Sequence, residues 1–108
     1  MKIVLLGADG QLGNSLRVFL SKKFKIYSFN KSELNITNHY KTSKIIKSVK
    51  PDIIINASAY TLVDKAESQK NLAYSVNYKA VNNLSNISKK LNAWLIHYST
   101  DYVLSLIH

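Results

Sequence analysis

The residues best suited to chemistry near the start of this chain are its three glycines, all within Gly7–Gly13 (GADGQLG). This segment directly follows the apolar run at 3–6, so the pattern predicts a strand, a tight turn and then a helix. In such a turn one glycine allows the chain to turn sharply after the strand, a second lets the backbone approach a phosphate, and a third allows helix and strand to pack closely. The free N–H groups at the helix start favour an anion. The spacing alone is a weak signal, but its strand–helix context predicts a site for a dinucleotide pyrophosphate.

Hydrophobic periodicity predicts alternating strands and helices that would position this turn. With right-handed crossovers, this alternation predicts an α/β fold: a truncated, Rossmann-like, doubly wound parallel sheet of about four strands in the order 3-2-1-4. The ligand crevice then lies at the carboxyl ends of the strands, at segments 7–13, 30–31, 57–61 and 99–101. The predicted strands are 2–6, 25–29, 52–56 and 94–98, and the predicted helices are 11–22, 38–49 and 68–91, the last being one helix or two with an irregularity between Asn77 and Asn86.

Composition excludes several classes of function. The chain has 108 residues, room for one domain, and no cysteine, which excludes disulfide, thiol and zinc–thiolate chemistry. It shows no membrane-spanning apolar run and no signal-peptide layout, so we expect a cytoplasmic protein without membrane contact. The net charge is +9, but the lysines are scattered and do not interleave with aromatic residues. We therefore expect no nucleic-acid partner, and interpret the charge as a solvated surface that also attracts polyanionic nucleotides.

Three segments together resemble the amino-terminal part of the dTDP-4-dehydrorhamnose reductases, which are extended short-chain dehydrogenase/reductases. They are 7–13, PDIIINASAYTLVDKAE at 51–67 and HYSTDYV at 97–103. The resemblance implies an NAD(P)-binding Rossmann domain at 1–103. It also implies an oxidoreductase of polysaccharide biosynthesis, which uses NADPH to reduce a dTDP-4-dehydro-6-deoxysugar to dTDP-L-rhamnose.

The resemblance assigns cofactor contacts to each crevice loop. Gly10, Gln11 and Leu12 match the positions that cradle the pyrophosphate, between Gly7 and Gly13. The other implied cofactor positions are Asn35 and Ile36 at the adenine edge, Ala59, Tyr60 and Thr61 beside the nicotinamide ribose, and Asn77 and Tyr98 on the same cavity. A structural hydrogen bond at Asn77 and a half-buried strand aromatic at Tyr98 are equally good interpretations.

The end of the second predicted strand bears on cofactor choice. Family members commonly place an aspartate there for the adenosine ribose, whereas this chain has Asn30 followed by Lys31. An acidic side chain would repel a 2′-phosphate and a cation would attract it, so these residues favour NADPH, with NADH as the alternative. The competing interpretation is an ordinary polar turn at 30–32.

The resemblance also implies the residues that act on the substrate. Thr100 matches the catalytic Ser/Thr that donates a hydrogen bond to the substrate carbonyl, and Asp101 would position the sugar. His97 is interpreted as packing rather than as a base. The family's proton donor, a tyrosine with a lysine four residues later on a helix, belongs a few tens of residues beyond Thr100. We therefore expect this chain to be inactive alone.

The last residues depart from the family pattern. Residues 104–108 are interpreted as an aberrant tail, and the substrate domain as absent. Strand four would then be an open edge carrying Trp94, Leu95 and Ile96, which invites self-association. Two hypotheses remain open: an incomplete copy of the reductase, whose dTDP-sugar substrate belongs to the full-length family, and a non-catalytic module for nucleotide binding or subunit pairing.

Overall fold

A computed structural model describes residues 1–58, 70–98 and 104–107, with the backbone alone at 70–78 and 104–107. Strands and helices alternate as the periodicity predicts, and a fifth strand follows. The elements are β1 (Lys2–Leu6), α1 (Gln11–Leu20), β2 (Lys25–Phe29), α2 (His39–Val49), β3 (Ile53–Asn56), α3 (Lys70–Leu91), β4 (Trp94–Tyr98) and β5 (Leu104–Ile107).

The sheet confirms the predicted α/β, Rossmann-like class and corrects the predicted strand order. The order is β2-β1-β3-β4-β5, and the first four strands are parallel. The predicted order 3-2-1-4 is wrong because β3 pairs with β1 rather than with β2. The apolar strand β3, in which Ile54 and Ile55 are buried, takes a central position covered on both faces, whereas the more polar β2 lies at the edge with no fully buried residue.

The fourth strand is not an open edge in this structure. β5 pairs with it antiparallel, with Leu95 opposite Ile107 and Tyr98 opposite Leu104. The prediction of an exposed edge at β4 is therefore wrong, and with it the expected route to self-association through that strand. Three of the four residues of β5 (LSLI) are apolar, and the last is the β-branched Ile107, which favours a strand at that position.

The helix ends follow from local backbone geometry. α1 ends at Leu20, two residues before the predicted end. α2 ends at Val49, and its C-cap residue Lys50 adopts a left-handed conformation with φ 54°. α3 is a single helix through the segment 77–86, so the alternative of two helices is wrong. No helix in the described ranges is long and apolar enough to cross a membrane.

Two apolar layers flank the sheet because alternate strand residues face opposite sides. On one side, Val4 and Leu6 of β1 pack with Ile46 of α2 and Leu84 of α3. On the other, Ile3, Leu5 and Ile55 form a smaller cluster against Leu16 and Leu20 of α1. The two layers hold the carboxyl ends of β1, β3 and β4 side by side.

Candidate dinucleotide-binding site

The turn after β1 requires glycine at its first position. Gly7 has φ +77°, a left-handed conformation that side chains disfavour. A Cβ on Gly7 would also lie 2.7 Å from the backbone nitrogen of Ser58. The N–H groups of Gly7 and Ala8 both donate to the carbonyl oxygen of Phe29, each at 3.1 Å. The turn is thereby fixed between the ends of β2 and β3.

The start of α1 lies directly against this turn. A Cβ on Gly13 would collide with the carbonyl oxygen of Gly7 and would lie 2.9 Å from the Cα of Ala8. Gly10 is the N-cap in an extended conformation, and no side chain caps the helix. The first turn of α1 contains no acidic residue, so its N–H groups keep their preference for an anion. The exposed Gln11 and half-buried Leu12 begin the helix here, as predicted.

The polar turn after β2 is a reciprocal capping arrangement. Asn30 Oδ1 accepts from Ser32 Oγ at 2.7 Å and from the Glu33 N–H at 2.8 Å, while Glu33 Oε1 accepts from the Asn30 N–H at 3.0 Å. Lys31 is exposed and makes no side-chain hydrogen bond or ion pair within the described ranges. Both interpretations of this segment therefore have support: a structural turn, and a cation available beside it. The sequence analysis did not identify Glu33, although its N-x-x-E spacing from Asn30 is a recognisable signal of reciprocal capping.

Asn35 and Ile36 are engaged within the fold. Asn35 Oδ1 accepts from the Thr37 N–H at 3.0 Å and from Thr37 Oγ1 at 2.8 Å, so its lone pairs serve a local turn. Ile36 is 3 % exposed and belongs to the larger apolar layer beside Leu34. The Asn35 side-chain oxygen is therefore occupied within the fold rather than free to accept from an adenine amino group.

Polar side chains connect the ends of β3 and β4. Asn56 is fully buried; its Oδ1 accepts from the Ser58 N–H, and its Nδ2 lies 3.1 Å from His97 Nδ1. Burial lowers the pKa of His97, which favours the neutral ring and agrees with a packing role rather than a charged one. Tyr98 is half-buried against the smaller apolar layer, as a strand aromatic would be. Sequence analysis did not single out Asn56, because its role depends on the register between β3 and β4.

Several predicted site residues lie outside the described residues. They are Ala59, Tyr60 and Thr61 after β3, and Thr100 and Asp101 after β4. Asn77 lies on α3, where the backbone alone is described. The described side chains include no group of three or more His, Cys, Asp or Glu residues that could hold a metal ion.

The parallel sheet and the glycine turn packed against α1 define a Rossmann-like α/β protein, whose class binds ligands at the carboxyl ends of its strands. The family model described as the RmlD substrate binding domain matches residues 1–105. The chain belongs to the dTDP-4-dehydrorhamnose reductase (RmlD) family.

Individual relatives agree with this assignment. The chain is 43 % identical over 104 residues to the dTDP-4-dehydrorhamnose reductase of Aggregatibacter actinomycetemcomitans, covering 94 % of this chain and 35 % of that protein. A Bacillus anthracis dTDP-4-dehydrorhamnose reductase, solved in complex with NADP, superimposes with a TM-score of 0.77 at 37 % identity, over 87 % of this chain and 34 % of that one. A hypothetical dTDP-4-dehydrorhamnose reductase from Sulfolobus tokodaii gives a TM-score of 0.79 at 33 % identity, over 90 % and 38 % of the two chains. The chain thus spans about a third of the length of these relatives.

Proposed function

We propose that this chain is the cofactor-binding part of an NADPH-dependent dTDP-4-dehydrorhamnose reductase, and that the segment 7–13 receives the pyrophosphate. The observation that carries the proposal is the backbone packing at Gly7 and Gly13, where a Cβ would meet main-chain atoms. This packing brings the uncapped N-terminus of α1 to the crevice with no carboxylate in its first turn. A dinucleotide phosphate fits that environment.

The residues of the turn and the resemblance assign separate roles in the reaction. The N–H groups of Gln11, Leu12 and Gly13 would bind the pyrophosphate. In the full-length reductase, bound NADPH would supply hydride to the 4-keto carbon of the dTDP-sugar. Thr100 would donate a hydrogen bond to the carbonyl oxygen as negative charge develops there, and Asp101 would position the sugar. Ala59, Tyr60, Thr61, Asn77 and Tyr98 would line the nicotinamide side.

Charge at the end of β2 supports NADPH over NADH. The Lys31 ammonium is exposed beside Asn30, whose oxygen is occupied and whose amide nitrogen is a donor. Both groups favour an anion such as a 2′-phosphate. The nearby Glu33 carboxylate opposes this, but it is engaged by the Asn30 N–H. The balance favours the phosphate because a ribose hydroxyl would find no free acceptor on Asn30.

Neither tyrosine–lysine pair with the four-residue spacing of the family's proton donor lies beside the end of β4. A tyrosine precedes a lysine by four residues at Tyr27–Lys31 and Tyr40–Lys44 alone. The first tyrosine lies on β2, separated from β4 by two strands and so by about 14 Å. Tyr40 is 77 % exposed on α2, which follows β2. We therefore propose that these 108 residues by themselves bind the cofactor without reducing a sugar.

Calorimetric titration of the 108-residue chain with NADPH, with NADH in parallel, tests the proposal. We expect saturable binding with a preference for NADPH. Lys31→Ala should weaken NADPH binding by about five- to tenfold, the value of one exposed charge-assisted contact, and should leave NADH binding within twofold. Lys41→Ala is the matched control, because Lys41 is also exposed but lies on α2.

Two results would overturn the proposal. A chain that circular dichroism shows to be folded, yet binds neither cofactor, would exclude a cofactor site in these residues. Equal losses in Lys31→Ala and Lys41→Ala would show that NADPH senses the overall positive charge rather than Lys31.

A further inference from the structure

The buried amide of Asn56 joins two strands and a loop. Asn56 is the last residue of β3 and is fully buried. Its Oδ1 accepts from the Ser58 N–H at 3.1 Å, and its Nδ2 lies 3.1 Å from Nδ1 of His97, its cross-strand neighbour on β4. A buried amide with both ends bonded stabilises one arrangement of the groups around it.

Hydrogen-bond chemistry determines the orientation of both side chains. The Ser58 N–H can only donate, so the atom of Asn56 that faces it must be the oxygen. The Asn56 NH₂ group must then face His97, whose Nδ1 must accept. A neutral His97 therefore carries its proton on Nε2, and the lowered pKa of this half-buried ring agrees with the neutral form.

The backbone that Asn56 holds is the backbone against which the glycine turn packs. The Ser58 nitrogen lies 2.7 Å from the place that a Cβ on Gly7 would take, and the Ala57 carbonyl carbon lies 2.9 Å from it. The Ala57 N–H also donates to the carbonyl oxygen of Leu6 at 3.0 Å. The hydrogen-bonded chain from His97 through Asn56 to Ser58 thus ends against Gly7.

We propose that Asn56 and His97 form a positioning pair, in which His97 Nδ1 orients the Asn56 amide and that amide holds the backbone at 57–58 against the Gly7 turn. Loss of the acceptor at His97 would leave the buried NH₂ group without this partner. Rotation of the amide would not help, because it would place NH₂ against the Ser58 N–H. The consequence for NADPH affinity rests on the proposed function, whereas the consequence for the backbone does not.

Two substitutions at His97 separate the effect of its hydrogen-bond acceptor from the effect of its size. His97→Asn keeps an acceptor near the Nδ1 position, and His97→Leu keeps apolar bulk without one. We expect His97→Leu to speed hydrogen exchange at the Ser58 amide by about tenfold and His97→Asn to keep it within twofold. NADPH titrations of the same variants should show the same order of effects.

A second measurement is which ring nitrogen of His97 carries the proton. A role for His97 in packing alone would not make this position depend on residue 56. Nitrogen NMR of the parent chain at neutral pH should show an unprotonated Nδ1 and a protonated Nε2. In Asn56→Asp, one carboxylate oxygen still accepts from Ser58 and the other faces His97, so the proton should move to Nδ1. This variant also serves as the test if His97→Leu does not fold.

The results discriminate between the pair and the proposed function. A protonated Nδ1 in the parent chain, or equal Ser58 exchange in His97→Leu and His97→Asn, would overturn the positioning pair. An unchanged ring in Asn56→Asp would do the same. The expected ring and exchange results without any NADPH binding would support the pair and refute the cofactor proposal.

Discussion

Replacement of Gly13 by alanine tests the packing on which the candidate site depends. Elsewhere in an exposed helix, glycine to alanine stabilises by about 1 kcal/mol, because alanine loses less backbone entropy on folding. At Gly13 the new Cβ would collide with the Gly7 carbonyl oxygen and would lie 2.8 Å from the Gly7 carbonyl carbon and 2.9 Å from the Ala8 Cα. All three are backbone atoms, so α1 must move away from the turn.

The two effects at Gly13 have opposite signs, and the collision is the larger. Overpacking against backbone costs about 3 kcal/mol, at the upper end of the usual range, because no flexible side chain can yield. Subtracting the gain in helix propensity leaves a destabilisation of about 2 kcal/mol. For a domain of this size, that corresponds to a melting temperature lower by about 10 °C.

Thermal and urea unfolding followed by far-UV circular dichroism measure this difference. Ser15→Ala is the matched control: it lies on an exposed position of the same helix and should stabilise by a few tenths of a kcal/mol at most. A Gly13→Ala chain that melts at or above the parent temperature would refute the argument, because it would show that α1 does not press on the turn.

Two further predictions concern single side chains. Burial lowers the pKa of His97 in the folded chain, so the unfolded chain binds a proton there more readily. The contribution of neutral His97 to the free energy of unfolding is therefore complete above about pH 6.5, and it declines as the pH falls from there through the folded pKa. Urea unfolding at several pH values should show a steeper acid loss for the parent than for His97→Asn, and equal slopes would contradict this. Lys50→Gly should raise the free energy of unfolding by about 0.5 kcal/mol, seen as a higher urea midpoint, since glycine removes the strain at φ 54° but gains entropy in the unfolded chain. Lys47→Gly, within α2, should instead lose about 1 kcal/mol, and the same sign for both would contradict the argument.

Element positions were predictable from the sequence because each depends on local pattern. The bounds of β1, β2 and β4 agree with the prediction, and α2 begins one residue later than predicted. The order of the strands in the sheet was not predictable, because periodicity does not say on which side of β1 a later strand pairs. The contrast between the continuous apolar run of β3 (IIIN) and the mixed polar and apolar sequence of β2 (KIYSF) was the available signal.

The candidate site likewise has a part that depends on local sequence and a part that depends on tertiary packing. The glycine turn was predictable since strand, turn and helix are contiguous in sequence. The bonding of Asn35 to Thr37 and the burial of Ile36 were not foreseen, because a side chain's choice between a ligand and its own fold depends on tertiary packing. The contact of Asn56 with His97 joins residues 41 apart and needs the register of two strands.

The direction of the parallel strands has a practical consequence for attaching the chain to a surface or a label. Met1 lies at the amino edge of the sheet, where its carbonyl oxygen accepts from the Lys25 N–H. The glycine turn lies at the other end of β1, about 17 Å away for a strand of five residues. Met1 is also 65 % exposed. Immobilisation through the terminal amine would therefore leave the crevice facing the bulk solution, whereas coupling through side-chain amines would include Lys31 beside it.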